Sequence, residues 1–358
     1  MNSRYVPSLN GLRALSISLV LIHHIRIRNF YTSDSPGGQL GVNIFFIISG
    51  FLITLLLIDE ENRDKSISLG NFYLRRIFRI FPVYYFLLLT YKILELTGVL
   101  QFSSYSWITG LTYTRDFITQ RVEWESGHLW SLSIEEQFYL FWPLVFKFFK
   151  PYRIKIAWLI ILIIPVIRWI YYFTGFEKTW SEISIFQRGD ALMIGCLLAV
   201  YNEKISNWLV TFIGKYKFMI FFPLCGLIFS LVLAKIIPTN NIIVGGVIRA
   251  LGRATGTFTN IFIGLIILVS INFKDTLWYR FLNTGVVNYI GKLSYSLYIW
   301  QQLFFSDHIG ILGKFPVNIF CIVIVAMISY YFVEKPFLRL KSRFETQRIP
   351  KKIEGQAA

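Results

Sequence analysis

The chain alternates between long apolar stretches and short polar segments over most of its length. Stretches such as 154–174 and 216–237 are long enough to cross about 30 Å of hydrocarbon as α-helices. The pattern predicts an all-α, polytopic membrane protein of about ten transmembrane helices. The predicted spans are 12–28, 40–58, 77–97, 129–149, 154–174, 185–201, 216–237, 250–270, 285–305 and 315–333.

Composition and charge agree with this interpretation. Of the 358 residues, 55% are hydrophobic and only 16% are charged, which is too little charge for a soluble domain of this size. The net charge of +16 could indicate nucleic-acid binding. However, with the N-terminus inside, the inner segments carry about twice as many lysines and arginines as the outer ones. The basic excess therefore predicts an orientation with both termini in the cytoplasm, and not a nucleic-acid surface.

Residues 1–340 are predicted to form one membrane domain, and residues 341–358 a basic cytoplasmic tail. The three cysteines are odd in number and lie in apolar stretches, so we expect packing roles without a disulfide or a metal site. They are Cys196, Cys225 and Cys321.

The first apolar stretch, from Tyr5 to Ile27, carries Arg13 and His24. Eleven residues turn an α-helix by about 1100°, about 20° more than three turns, so both side chains lie on one face about 16 Å apart. Alone, Arg13 could extend to the headgroups and His24 could be a satisfied buried histidine. Together they predict a helix that lines a site. They also interrupt any signal-peptide core, so no cleavable leader is expected.

The second span contains Ser49 and Gly50 near its centre. Small residues there favour either close packing between helices or a break whose backbone faces a substrate cavity.

A basic and aromatic segment, NFYLRRIFRIFP, precedes the third span. Arg76 and Arg79 are three residues apart and project from one side of a helical turn. This pair could anchor the chain in the headgroups, or it could hold a phosphorylated cytoplasmic ligand, because arginine binds phosphate with two parallel hydrogen bonds.

The outer segment 98–128 leads into HLWSLSIEEQFYLFWP, where Glu135 and Tyr139 share a helix face. Carboxylates at a helix N-terminus could serve only as caps for the helix dipole. Because aromatic residues flank them, these carboxylates could also form a sugar-binding or proton-handling site. His128 is expected to be an exposed loop residue.

The remaining spans carry fewer chemical groups. The fifth is expected to be featureless, whereas the sixth contains Arg188 and Asp190, which we expect to form an ion pair. The ninth contains Tyr295 in a run of hydroxyl and aromatic residues.

Six blocks of the chain together resemble the integral-membrane acyltransferase 3 family, whose members O-acylate surface glycans and some small molecules. Any one block is weak, but the six occur in family order from Leu9 to Pro336. The blocks are LNGLRALSISLVLIHH, GVNIFFIISGFLI, FYLRRIFRIFP, HLWSLSIEEQFYLFWP, IGKLSYSLYIW and VEKP.

The resemblance implies a multi-pass protein of the bacterial inner membrane that moves an acetyl or other short acyl group. The donor would be acetyl-CoA bound from the cytoplasm, the acceptor a hydroxyl of a polysaccharide or lipid-linked sugar on the other side, and no metal would take part. The implied residues are catalytic His24, Arg13 and Glu135; donor-binding Arg76, Arg79, Ser49 and Gly50; and acceptor-binding Tyr139, Trp130, Glu136 and Tyr295.

Two positions depart from the family pattern, since Asn43 and Gln301 stand where Asp and His are frequent. Some members also carry a C-terminal hydrolase-like domain, which we do not expect in this sequence. A transporter or acyl-group carrier without covalent chemistry is the alternative function, because buried charges also suit an ion path. Against it, the two halves show no repeated motifs of the kind many transporters have.

Overall fold

The computed structural model describes residues 6–30, 37–117, 123–174, 184–236 and 245–346. Within these ranges the protein is helical and contains no strand. The α-helices are α1 (Leu9–Phe30), α2 (Gly37–Asp64), α3 (Leu69–Leu96), α4 (Ser104–Leu111), α5 (Leu129–Phe148), α6 (Arg153–Thr174), α7 (Ile185–Val200), α8 (Asn202–Lys215), α9 (Phe222–Ile236), α10 (Gly245–Asn272), α11 (Leu277–Leu282), α12 (Gly285–Phe304), α13 (Val317–Ser329) and α14 (Lys335–Thr346).

Each predicted span overlaps one of these helices, and the all-α prediction is confirmed. Among the described residues, five segments are long and apolar enough to cross a membrane. The total of ten spans and the sides of the termini stay predictions. The five segments are Gly37–Asp64, Leu69–Leu96, Arg153–Tyr171, Thr255–Asn272 and Val317–Leu340.

The chain divides into two compact units. The first comprises Met1–Ile67 and Phe102–Ser294, and the second comprises Ser68–Gln101 and Tyr295–Ala358. Helix α14 continues through the predicted start of the basic tail, and the tail from residue 347 onward lies outside the described residues. The extent of the membrane domain therefore stays a prediction.

Helix α2 is the centre of the first unit, where it packs against α1 and α7 and also contacts α5 and α10. Gly50 lies against the carbonyl of Leu192, and Gly195 against the carbonyl of Ile47, so a methyl group at either glycine would overlap backbone. This close approach requires small residues. Because α2 is helical through Ser49 and Gly50, the predicted break is wrong, and the packing interpretation of Gly50 is confirmed.

A buried ion pair joins α6 and α7 in the same unit. Arg168 donates to Asp190 Oδ1 at 2.8 Å and to Thr257 of α10 at 3.0 Å, and Thr257 donates to Asp190 Oδ2 at 2.6 Å. Burial without a partner would strongly disfavour either charge. The partner that the structure gives Asp190 is thus Arg168 and not Arg188, and the prediction of a featureless fifth span is wrong.

In the second unit, α3 packs against α14 and against a π-helical turn, Tyr330–Glu334, that separates α13 from α14. The hydroxyl of Ser296 on α12 donates to the buried carboxylate of Glu334 at 2.9 Å. A π-turn inserts one extra residue into the helical repeat. It therefore changes the direction in which the side chains after it project.

Candidate active site

His24 and Arg13 lie on the single helix α1, and both are half-buried. The ring of His24 meets the ring of Trp124 edge-on, with centroids 5.7 Å apart. The neighbouring His23 instead packs against Gly38 at the start of α2. The two adjacent histidines thus have different surroundings, and His24 is the one beside the outer segment.

Glu135, Ser49 and Tyr139 form a polar cluster between α5 and α2. Ser49 Oγ donates to Glu135 Oε1 at 2.9 Å. The hydroxyl of Tyr139 lies 3.1 Å from Ser49 Oγ and 3.3 Å from Glu135 Oε2. Each carboxylate oxygen therefore has a hydroxyl neighbour, and the Glu135–Tyr139 proximity follows from their i,i+4 spacing.

Two tryptophans of α5 also contact α2. Trp130 meets Phe46 of α2 edge-on, with ring centroids 6.1 Å apart. The indole N–H of Trp142 donates to Thr54 at 2.9 Å. Glu136 is half-buried and lies about 100° around α5 from Glu135, so it belongs to a different face of the helix. The faces of aromatic rings are suitable surfaces for a sugar ring, as the sequence suggested for Trp130 and Tyr139.

The described residues of the segment predicted to lie outside, 98–117 and 123–128, pack around Arg115, which is only 2% exposed. Its guanidinium donates to Thr109 at 3.2 Å and to Ser126, and it lies 3.6 Å from the carboxylate of Glu123. His128 is also buried and occupies the N-cap position of α5, where its side chain makes no cap hydrogen bond. The expected exposure of His128 is therefore wrong, although the residue lies in the turn that precedes α5.

Arg76 and Arg79 lie in the early turns of α3, which begins at Leu69, in the second unit. Both are half-buried, and the guanidinium carbon of Arg76 lies 5.7 Å from the centre of the buried Phe72 ring. Both arginines are thus on a helix and not on a loop, and a helix keeps side chains three residues apart on one side.

The side chain of Tyr295 forms a hydrogen bond within the same unit. Its hydroxyl donates to the carbonyl of Ile80 at 2.8 Å. Ile80 follows Arg79 directly and lies two residues before Pro82, which has no backbone N–H to donate within the helix. In this structure Tyr295 therefore supports the turn next to the two arginines.

Ser49 and Gly50 were predicted together as donor-binding residues, but the structure gives them different neighbours. Ser49 bonds to Glu135 of α5, whereas Gly50 packs on α7. Consecutive residues on a helix point about 100° apart. Only Ser49 can therefore contribute a functional side chain to the cluster.

The family model of the acyltransferase domain, acyltransferase 3, matches residues 6–333. The chain belongs to the acyltransferase 3 family. Among its relatives, the O-acetyltransferase OatA of Staphylococcus aureus strain NCTC 8325 is 32% identical over 380 residues, covering 99% of this chain. A putative O-acetyltransferase of S. aureus strain COL is 30% identical over 369 residues, covering 93% of it.

This acyltransferase 3 chain spans 60% of the length of the OatA relative and 57% of the putative O-acetyltransferase. No solved structure is similar to it at a significant level. The family assignment therefore rests on the sequence match and fits the helical structure described above.

The described part of the chain contains no group of three or more His, Cys, Asp or Glu residues able to hold a metal ion. All three cysteines are free thiols. Cys196 is buried as expected, whereas Cys225 is exposed, so the packing prediction is wrong for Cys225.

Sequence reasoning missed one neighbour of His24 and several buried polar residues that hold the first unit together. Trp124 was read only as part of an outer segment, and Arg115 and Gln137 were not singled out. Arg168 had a usable signal, a lone arginine in an apolar stretch. Trp124 had none, because its contact with His24 joins residues that are far apart along the chain.

Proposed function

We propose that this protein is a membrane O-acetyltransferase that moves an acetyl or other short acyl group from cytoplasmic acyl-CoA to a hydroxyl of a surface polysaccharide or lipid-linked sugar. The observation that carries the proposal is the hydrogen-bonded cluster of Ser49, Glu135 and Tyr139 between α2 and α5. The O-acetyltransferase names of the relatives support the same chemistry.

In the proposed reaction, His24 accepts the proton of the acceptor hydroxyl as its oxygen attacks the thioester carbonyl. The new C–O bond forms and the C–S bond breaks, and the proton passes from His24 to the departing thiolate of CoA. General-base catalysis of this kind accelerates a reaction by about 10²–10⁴-fold. Arg13, on the same helix, would provide positive charge for the oxyanion or for the donor.

Glu135 and Tyr139 would orient the acceptor. A carboxylate and a phenol can each bond to sugar hydroxyls, and Trp130 offers an aromatic face for the apolar side of the ring. Glu136, on the adjacent face of α5, would contact a more distant part of the glycan. In this proposal Ser49 holds Glu135 in place rather than binding the donor.

The proposed location is the bacterial inner membrane, with about ten spans and both termini in the cytoplasm. The positive-inside bias supports this orientation. The basic turn of α3 would then face the cytoplasm, where acyl-CoA is available.

Arg76→Lys and Arg79→Lys are each expected to weaken acyl-CoA binding by roughly tenfold, because lysine keeps the charge but loses the two-pronged contact with phosphate. The measurement is the dissociation constant of acetyl-CoA for detergent-purified protein. Arg75→Lys is the matched control and should bind as wild type. Unchanged affinity in both test variants would instead favour the headgroup-anchor interpretation of this turn.

The function itself is tested with purified protein in lipid nanodiscs, supplied with radiolabelled acetyl-CoA and glycans extracted from a bacterial envelope. Label is expected in the glycan as an alkali-labile ester, with release of one CoA thiol for each ester formed. The alternative, a transporter or carrier, predicts movement of label across proteoliposomes without acetylated product.

A further inference from the structure

Helix α5 carries two polar faces over the same two turns, from Ser133 to Tyr139. One face presents Glu135 and Tyr139 to Ser49 of α2. The other presents Ser133 and Gln137, also four residues apart, to the outer segment. Because both faces belong to one helix, the contacts that hold the second face also set the position of the first face against α2.

The second face is held by two consecutive residues, Arg115 and Asp116. The backbone N–H of Arg115 donates to Ser133 Oγ at 3.2 Å. Gln137 Nε2 donates to Asp116 Oδ1 at 2.7 Å and to the carbonyl of Tyr113 at 3.0 Å. Gln137 is thereby bonded twice to the outer segment.

Asp116 also reaches a third helix. Its Oδ2 accepts from the backbone N–H of Ile185, the first residue of α7, at 3.2 Å, and the side chain has no exposed surface. Helix α7 packs closely on α2. The three helices therefore form a closed set: α2 meets α7 at the glycine contacts, α5 meets α2 at the Glu135 cluster, and Asp116 joins α5 to α7.

We propose that Asp116 is a positioning residue for acyl transfer: its carboxylate holds α5 against the start of α7 and so keeps Glu135 and Tyr139 at Ser49. This inference rests on the proposed function of that cluster. Two N–H donors reach separate oxygens, so both bonds require a group that only accepts. The ionised carboxylate meets this requirement, whereas a carboxylic acid or an amide places a hydrogen against one of the two donors.

Burial raises the pKa of Asp116 to about 6, and the bonds from Gln137 and Ile185 act in the opposite direction. The charged groups on the described elements around it are Arg115, Glu123 and Glu125 in the outer segment, Glu135, Glu136 and Lys147 on α5, and Arg188 and Asp190 on α7. The folded chain therefore binds a proton at Asp116 more readily than an exposed carboxyl does.

The same shift predicts an unusual stability effect. A carboxyl whose pKa is higher in the folded than in the unfolded chain makes the fold less stable as pH rises through that range. The thermal midpoint of wild type should therefore fall between about pH 5 and pH 7.5 by the contribution of Asp116, and Asp116→Asn should lack this part of the pH dependence.

The experiment compares Asp116→Asn with the wild type and with Asp307→Asn, the same change at an exposed site in the second unit. For Asp116→Asn we expect kcat for acetyl transfer to fall about tenfold, the effect of losing one bond to a charged group, with the KM for acetyl-CoA unchanged. Hydrogen exchange should become faster in residues 102–117 and 129–140.

Unchanged kcat and unchanged exchange in Asp116→Asn would overturn the inference. The contribution of Asp116 would disappear from the pH profile of this variant. If the variant does not fold, Gln137→Ala removes the other partner of the same bond, and unchanged kcat together with unchanged exchange in Gln137→Ala contradicts the proposal. If wild type transfers no acetyl group, the proposed function fails, and the exchange data still test the link.

Discussion

His24→Ala is expected to abolish acetyl transfer, with a loss of at least about 100-fold, because no other group would then accept the proton of the attacking hydroxyl. The protein should still insert and fold, since His24 is half-buried and its described ring contacts are with His23 and Trp124. The measurement is label transfer by protein in nanodiscs, together with the size-exclusion profile and the affinity for acetyl-CoA.

His23→Ala is the matched control for this experiment. It removes the same chemical group from the next position on α1, where the ring packs against Gly38 of α2. We expect His23→Ala to retain at least about half of the wild-type transfer rate, a loss well below the factor that a catalytic base supplies. Full activity in His24→Ala would remove this residue from the mechanism.

Glu135→Gln is expected to reduce acetyl transfer by about 100-fold while the dissociation constant for acetyl-CoA changes by less than about twofold. The substitution preserves the shape of the side chain but removes its charge. It also replaces one accepting oxygen by an NH₂ group, which cannot accept from Ser49 or Tyr139 at the positions they occupy. The measurement is kcat for transfer, with donor affinity determined separately.

Two further variants define what this result means. Glu203→Gln makes the same change at an exposed position on α8 and should leave transfer unaffected. Tyr139→Phe removes one hydroxyl and keeps the carboxylate, so its loss should be smaller than that of Glu135→Gln. A Glu135→Gln enzyme with normal turnover, or one that has lost acetyl-CoA affinity instead, would contradict an acceptor-side role.

The sequence was sufficient to predict the class of fold and several local relations. Long apolar stretches must satisfy their backbone groups internally in hydrocarbon, so the helices follow from composition and length. The placement of Arg13 with His24 on one helix, and of Glu135 beside Tyr139, follows from the helical repeat. The order of the six motif blocks was enough to recognise the acyltransferase 3 family.

Contacts between distant parts of the chain could not be predicted in this way. Glu135 meets Ser49 across 86 positions, and Trp142 meets Thr54 across 88. A periodic pattern states which face of a helix is polar, but not which other helix it meets. For the same reason Gly50 was grouped with Ser49 as a donor-binding residue, although the two residues face different helices.

Buried charges also show the difference between what the sequence predicts within one helix and what depends on contacts between helices. The sequence places Asp190 and Arg188 two residues apart, yet residues at that spacing do not face each other on a helix. The structure instead brings Arg168 to Asp190 from the preceding helix. Asp116, which sequence reasoning passed over, acquires its role only where an outer segment, α5 and α7 meet. Local chemistry thus follows from the order of residues, whereas the partner of each buried polar group depends on how the helices pack, because only packing decides which groups lose water together.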